Sequence, residues 1–466
     1  MQLIKRIKTS IPRFTTLYIW ALSLIFTYAA FKSGGTVSAD WEHCMIALGL
    51  LLLLYFRFTK EADLAPAPEW WLWWPLVMLL AFIGLQLIPL PASVLQILSP
   101  TRAKLLQSLN AVSPGGTYAP ISVFPSASLA QLLRIAAYVV VFVLARELAW
   151  KTQRRRWVIV TPIVIIAAAE AALGLLQYDP LTGSYARGTY GNQNHFAGLL
   201  ELALPFAVAY PIDATLRLRG RSLRRVALPA TSIAVAALML IGIIFSLSRM
   251  AFVATLSSLF VMGSVILAVR ISARRWLVAQ GLLAILVVTA FLYLAPDALI
   301  GRFSQVLTTE DVPSDVRVHL WSDARRLAAD YPLVGCGLGT FEQAFIRYKT
   351  FSPQIAVDSV HNDYLQLRVE LGGIGFAIAV LAMISVFLTA VRAIFRNIDP
   401  AVRYIAIGCV GALIAILIHS YTDLNLYIPA NGMLLAWIVG VVASLNFTAP
   451  RVVARGLEGE EQVRPS

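Results

Sequence analysis

The strongest constraint on this chain is an alternation: apolar stretches of roughly membrane length follow one another, separated by short polar segments. Hydrophobic residues make up 59% and charged residues only 14% of the sequence, and the mean hydropathy is +0.74. A soluble domain cannot hide that much apolar surface, so the composition selects a membrane class. A spanning helix needs roughly 20 mostly apolar residues. That measure predicts an all-α integral membrane protein of about 12 transmembrane helices, near 14–31, 42–57, 70–89, 127–148, 156–176, 195–210, 226–247, 250–270, 276–295, 371–392, 402–419 and 430–446. Lys5, Arg6 and Lys8 precede the first stretch as they would in a signal peptide. Its apolar length reads instead as an uncleaved anchor.

Orientation follows from the basic residues. With the N-terminus in the cytoplasm, 25 of the 38 lysines and arginines fall in cytoplasmic segments. The runs Arg154-Arg155-Arg156 and the five arginines from Arg217 to Arg225 settle the orientation. Both termini are then cytoplasmic. The net charge of +13 reads as anchoring against anionic membrane lipids rather than as affinity for nucleic acid. Cys44 and Cys409 lie in predicted spans and Cys336 lies outside them. That spacing makes no disulfide framework and no metal site, and the sequence calls for no cofactor.

Four divisions follow. Residues 1–295 form a membrane domain of nine spans, 296–370 a large exterior loop, 371–450 the last three spans, and 451–466 a short cytoplasmic tail. A second exterior loop, 90–126, carries an amphipathic piece from Ser99 to Leu109. Within the large loop, Pro313-Ser314-Asp315 predicts a helix start with Ser314 as N-cap. Val316, Leu320, Leu327 and Ala328 then repeat at helical spacing, and Tyr331-Pro332 ends the helix. Arg317 and Trp321, four apart, share a face. Gly335 to Gly339 lacks the preceding strand and the lysine of a phosphate loop and reads as a tight turn. A second helix is expected to begin near Ser359 and to run through His361 into the tenth span.

The polar residues with chemical potential gather in four segments at the exterior ends of spans. The first is Arg187 to His195, which opens the sixth span with Asn192, Asn194 and His195. A helix N-terminus favours anions, an arginine beside it suits a phosphate, and Asn192 or Asn194 serves as N-cap. The second, Ser246 to Met250, puts Arg249 at the exterior interface, where it either snorkels to lipid or faces a cavity. The third holds His361, Asn362, Asp363, Tyr364 and Arg368. On a continuous helix His361, Tyr364 and Arg368 share one face, and Asp363 does not. Histidine is the side chain best matched to general-base work near neutral pH. The fourth holds His419 and Asp423, read mainly as capping residues that border the same cavity. Arg134, Glu170 and Glu201 lie inside spans, each roughly 10 Å below the outer surface at ~1.5 Å per residue. Unpaired intramembrane charge is costly, so Arg134 is expected to pair with Glu170 or Glu201.

The stretches RGTYGNQNHFAG, SLSRMAFV, RVHLWSDARRLAADYPLVGCGLGTF, HNDYLQLRVELGGIG and IHSYTDLNLYIPAN occur in this order between residues 187 and 435. Together they resemble the O-antigen ligase and polymerase (Wzy-type) superfamily of bacterial membrane glycosyltransferases. Residues before 180 resemble it in hydropathy alone. The resemblance implies a GT-C-like fold in the bacterial inner membrane with a periplasmic active site. It implies metal-independent, inverting transfer of a glycan from undecaprenyl diphosphate. It assigns the base to His361 and the diphosphate to Arg249, Arg317 and Arg187. Asn192, Asn194, His195, Asn362, Tyr364, Arg368, His419 and Asp423 become binding or supporting residues. The acceptor is lipid A core for a ligase, or a second lipid-linked glycan for a polymerase of exopolysaccharide or O-antigen.

Residue chemistry agrees with that reading, because a departing diphosphate needs concentrated positive charge. A protein O-oligosaccharyltransferase is a further alternative. So is a 12-span transporter or flippase, which would instead place its polar residues near the bilayer midplane in two related halves.

Overall fold

The computed structural model describes residues 13–113, 115–179, 181–217, 223–294, 314–351 and 357–445. The first half of the described chain holds α1 (Arg13–Phe31), α2 (Ser38–Phe58), α3 (Trp70–Leu87), α4 (Ala92–Leu98), α5 (Pro100–Val112), α6 (Pro125–Lys151) and α7 (Thr161–Gln177). It continues with α8 (Gln193–Arg217), α9 (Leu223–Phe245), α10 (Arg249–Arg270) and α11 (Ala273–Leu294). The remainder holds α12 (Ser314–Asp330), α13 (Phe341–Phe345), α14 (Asp363–Arg396), α15 (Pro400–His419) and α16 (Pro429–Leu445). Among the described residues ten helices are long and apolar enough to cross a membrane. The apolar helices α11 and α16 fall on the two other expected spans, so the chain is an all-α, multi-pass membrane protein. The one sheet among the described residues is a ribbon of β1 (Leu90–Pro91) and β2 (Tyr118–Ala119), antiparallel, pairing Leu90 with Ala119.

The bundle is built around α8 and α15, both largely buried. Lipid is as apolar as a leucine side chain, so close packing rather than water exclusion holds such helices together. The sequence supplies small residues where they touch. A Cβ at Gly408 of α15 would stand 2.8 Å from the Phe206 ring of α8, and one at Gly411 would stand 2.5 Å from the Met262 sulfur of α10. Charged side chains cluster at the end opposite the four polar segments. There Arg156 pairs with Asp399 at 3.2 Å, Arg217 pairs with Asp213, and the Arg392 guanidinium lies 4.8 Å over the Trp71 ring.

The large loop is fastened to the bundle by a broken helix. At Gly372, α14 takes φ 65° and ψ −169°, a conformation open to glycine and closed to L side chains. The break frees backbone groups that are buried inside the protein, and each must find a partner there. Residues 332–337 supply them. Gly373 N donates to Pro332 O at 2.8 Å and Ile374 N to Leu333 O at 3.1 Å; in return Cys336 N donates to Val369 O and Gly337 N to Glu370 O, both at 3.1 Å. Gln86 of α3 completes the joint, donating to the carbonyls of Val334 and Glu370 and accepting from Leu338 N. The Gly335–Gly339 turn is therefore a buckle between loop and span. Its glycines are set by contact as well as by φ, since a Cβ at Gly335 would lie 2.2 Å from Glu370 O.

Glu370 locks the buckle. Its buried carboxylate accepts from Gly339 N at 2.8 Å, Phe341 N at 3.2 Å, Gln366 Nε2 at 2.9 Å and the Tyr427 hydroxyl at 2.5 Å. One side chain thus ties the large loop, the broken helix and the segment before α16 together.

Gly372→Ala is expected to lower stability by ~1–3 kcal/mol or more, from backbone strain at positive φ together with overlap on the Leu333 carbonyl. Gly373→Ala, whose Cβ would meet only Pro332 O at 3.2 Å and the tip of Arg368, should cost far less. Thermal unfolding of the two purified variants checks the difference.

Candidate functional site

Backbone hydrogen bonds bring the four polar segments to one end of the bundle. Ala186 N donates to Phe245 O at 2.8 Å, which seats the segment of Arg187 against the corner between α9 and α10. That corner is tight. Leu247 takes φ 57°, Ser248 accepts from Ala251 N as N-cap, and Arg249 is the first residue of α10, half-buried. Arg187 itself is exposed. Asn192 caps α8, its Oδ1 accepting from Asn194 N at 2.7 Å, as the spacing predicts. The third and fourth segments are joined through Asp363, whose N donates to Ser420 O at 2.9 Å. Its carboxylate accepts from the Ser420 hydroxyl at 2.6 Å and from Leu426 N at 3.2 Å.

The helix around His361 starts later than expected. Asn362, with β backbone, is the N-cap of α14, and its Oδ1 accepts from Leu365 N at 3.0 Å. His361 stands outside the helix at φ 52°. The single face of His361, Tyr364 and Arg368 is therefore not formed. The break before α14 turns His361 away from its helical neighbours, while the Tyr364 hydroxyl donates to Leu417 O at 2.6 Å and ties α14 to α15. Arg368 is half-buried on the next turns of α14, with its Nη1 buried and without a hydrogen-bond partner.

What His361 faces is Asp423. The Asp423 carboxylate is buried, and its Oδ1 lies 3.7 Å from His361 Nδ1 and 3.5 Å from His195 Nε2. One oxygen from the fourth segment thus meets an imidazole from the first and another from the third. Asp423 Oδ1 also accepts from Leu424 N at 2.8 Å, so the residue caps its own turn while its side chain faces both histidines. Burial opposes its charge. The two imidazoles facing it, with His419 close by, outweigh that penalty and hold the Asp423 carboxyl well below the usual carboxylate range.

The carboxylate accounts for the orientation of the His361 ring. With Nδ1 turned to Asp423, Nε2 is directed to the side away from it, and the His361 side chain is 41% exposed. A base must reach the proton that it takes, so this exposure separates His361 from its neighbours. His195 is only 18% exposed, and His419 is buried with Nδ1 3.0 Å from Glu201 Oε1. Asn431, whose Nδ2 donates to His195 O at 3.0 Å and to Asn425 Oδ1 at 3.1 Å, holds the backbone beneath.

The intramembrane pairing expected of Arg134 is not made. Glu170 accepts from Thr189 N at 3.0 Å and from its hydroxyl at 2.7 Å, Glu201 is taken by His419, and Arg134 Nη1 donates to Tyr427 O at 3.3 Å. Equal depth did not fix azimuth: Glu170 found Thr189 on a loop, and Glu201 found His419 at the end of α15.

The large loop reaches the site through α12. Trp321 Nε1 donates to Val360 O at 3.1 Å, the residue before His361, and its ring meets Tyr421 edge-on at 5.9 Å. Arg317 lies one turn earlier on α12, ~6 Å along the axis at ~1.5 Å per residue. Its side chain lies outside the described residues, as does the N-cap expected of Ser314.

Because the Asp423 carboxyl is depressed, its contribution to stability is fully present above its unfolded value of about 3.9. It is lost as the pH falls through its lower folded value. Asp423→Asn should lower the melting temperature at neutral pH and flatten its acid decline below about pH 4. Melting curves of the two proteins across pH check this.

The match to known proteins overlaps this geometry. Residues 234–380 match the family model described as O-antigen ligase, a range that holds Arg249, Arg317, His361 and the broken helix. No curated protein matches the chain. Over the matched range the chain is similar to that family, which supports the O-antigen ligase and polymerase superfamily of membrane glycosyltransferases as its place.

Proposed function

We propose that the protein transfers a glycan from undecaprenyl diphosphate to an acceptor hydroxyl, with His361 as general base and no metal ion. The observation that carries this reading is the contact of His361 Nδ1 with the buried Asp423 carboxylate, 3.7 Å away. It fixes one edge of the imidazole and leaves Nε2 for the acceptor. The acceptor O–H proton passes to Nε2 as its oxygen forms the bond to the anomeric carbon. The bond from that carbon to the diphosphate oxygen breaks on the opposite face, so the anomeric configuration inverts. Asp423 then balances the imidazolium. General-base assistance of this kind contributes typically ~10²–10⁴-fold.

The leaving diphosphate carries the negative charge that develops. Arg249, Arg317 and Arg187 are the residues assigned to it, because a planar, permanently charged guanidinium suits phosphoryl oxygens. The backbone joins described above support their common placement, since they bring the α9–α10 corner, the Arg187 segment and α12 to the end where His361 stands. His195, Asn192, Asn194, Asn362, Tyr364 and His419 support these groups through the contacts given, and Arg368 adds a buried guanidinium N–H with no partner among the described residues. The active site lies on the periplasmic side of the inner membrane, opposite the arginine-rich loops. The concentration of polar groups at one end of the bundle favours transfer over transport, which needs a site near the midplane. Ligase and polymerase share every residue named and differ in the acceptor, lipid A core or a second lipid-linked glycan.

His361→Ala should lower transfer by about 10²–10⁴-fold with normal protein abundance. Arg249→Ala and Arg317→Ala should each lower it by about 10²–10³-fold, with lysine a poor substitute. The assay offers purified protein an undecaprenyl-diphosphate glycan with either lipid A core or further carrier-linked repeats, and reads the product ladder. Full activity of His361→Ala would remove the base; products on neither acceptor would remove the transferase reading.

A further inference from the structure

Arg134 belongs to no part of the mechanism above. It lies on α6, ~13 Å from the first residue of that helix at ~1.5 Å per residue, at the same end of the bundle as the site. The hydrocarbon core is ~30 Å thick and α6 is ~40 Å long, so Arg134 sits roughly 8 Å inside it, within the reach of its own side chain toward the headgroups. Such a cation faces a partner or a polar ligand. Its Nη1 donates to Tyr427 O at 3.3 Å and its Nε is buried without a partner. Among the described residues no carboxylate pairs with it, and Glu170 and Glu201 are bound elsewhere.

Two more orphaned donors stand beside it. Tyr138, one turn along α6, has a buried hydroxyl with no partner, pressed toward Gly432, where a Cβ would come within 2.7 Å of the oxygen. Trp41 of α2 is 3% exposed, its indole Nε1 has no partner, and its ring centroid lies 5.5 Å from that of Tyr138. A guanidinium, an indole N–H and a phenol O–H all require an acceptor, and among the described residues the Tyr427 carbonyl is the one acceptor they have. Arg134 and Tyr138 stand one turn apart on α6 and Trp41 packs on the Tyr138 ring, so the three donors form a row without a carboxylate, which suits the oxygens of a phosphoryl group.

We propose that Arg134, Tyr138 and Trp41 bind the phosphate of a membrane lipid between α2, α6 and α16. This is a second phosphate site, apart from the arginines assigned to the leaving diphosphate, and it does not depend on the transfer reaction. Tyr427 ends the short segment that begins at Asp423, so a lipid held there would lie against the loop carrying the shared carboxylate.

The test is binding to delipidated, detergent-solubilised protein. The probes are dioctanoyl phosphatidic acid, inorganic phosphate and dioctanoylglycerol, read by calorimetry and by the shift in melting temperature. Phosphatidic acid should bind and dioctanoylglycerol should not. Inorganic phosphate binding as tightly as phosphatidic acid would identify a free anion as sufficient; weaker binding would identify the lipid. Arg134→Gln should weaken phosphatidic acid at least tenfold. Tyr138→Phe and Trp41→Phe should weaken it less, while leaving the melting temperature without ligand unchanged or raised, since neither donor has a protein partner to lose. Equal affinity in wild type and Arg134→Gln, or equal binding of dioctanoylglycerol, would overturn the proposal. So would Tyr138→Phe and Trp41→Phe proteins that bind as tightly as wild type.

Discussion

Backbone satisfaction at Gly372 is the constraint on which the rest of this structure depends. A helix broken inside the protein exposes buried amides and carbonyls that must find partners there. Here the partners are residues 332–337 of the large loop, paired to α14 on both sides of the break. Loop and span therefore fold as one unit. Glu370 and Gln86 close the joint from side chains, one with four donors and the other with bonds to both sides. The joint works beside a direct apolar contact of α12 with α14, in which Leu320, Ala324 and Leu327 share one buried cluster with Val360 and Val369.

The joint also explains how segments distant in sequence meet at one carboxylate. Asp363 starts α14 and is held by Ser420 and Leu426, so the turn after α15 is drawn under the start of α14. Asp423 projects from that turn. His195 arrives from the start of α8, whose cap and whose contact with Asn431 fix its height. The site is thus assembled from helix starts and ends, where backbone groups are unsatisfied and polar side chains are retained.

Much of this architecture was legible in the sequence. Apolar length put a helix on each expected span, though α14 begins eight residues before its expected start and α8 ends seven past its expected end, and of the two asparagines offered as the cap of α8 the structure uses Asn192. Legibility failed where the answer depended on azimuth or on a single dihedral angle. The apolar pattern of the tenth span extends smoothly back past His361, so periodicity reads one helix. Asn362 followed by Asp363 was the start signal that could have corrected it. Asp423 looked like a cap alone because its histidine partners lie in segments far away along the chain. Arg134 and the two glutamates were matched in depth alone, and depth does not say which way a side chain points around its helix.

One consequence concerns mechanical coupling. His361 sits on a short unhelical link with the fixed start of α14 on one side and the Trp321 clasp on Val360 on the other. The link cannot yield at one end without turning the ring between. A displacement of α12 large enough to release the Val360 carbonyl would also swing His361 off Asp423. The position of α12 and the aim of the histidine are in this sense tied together.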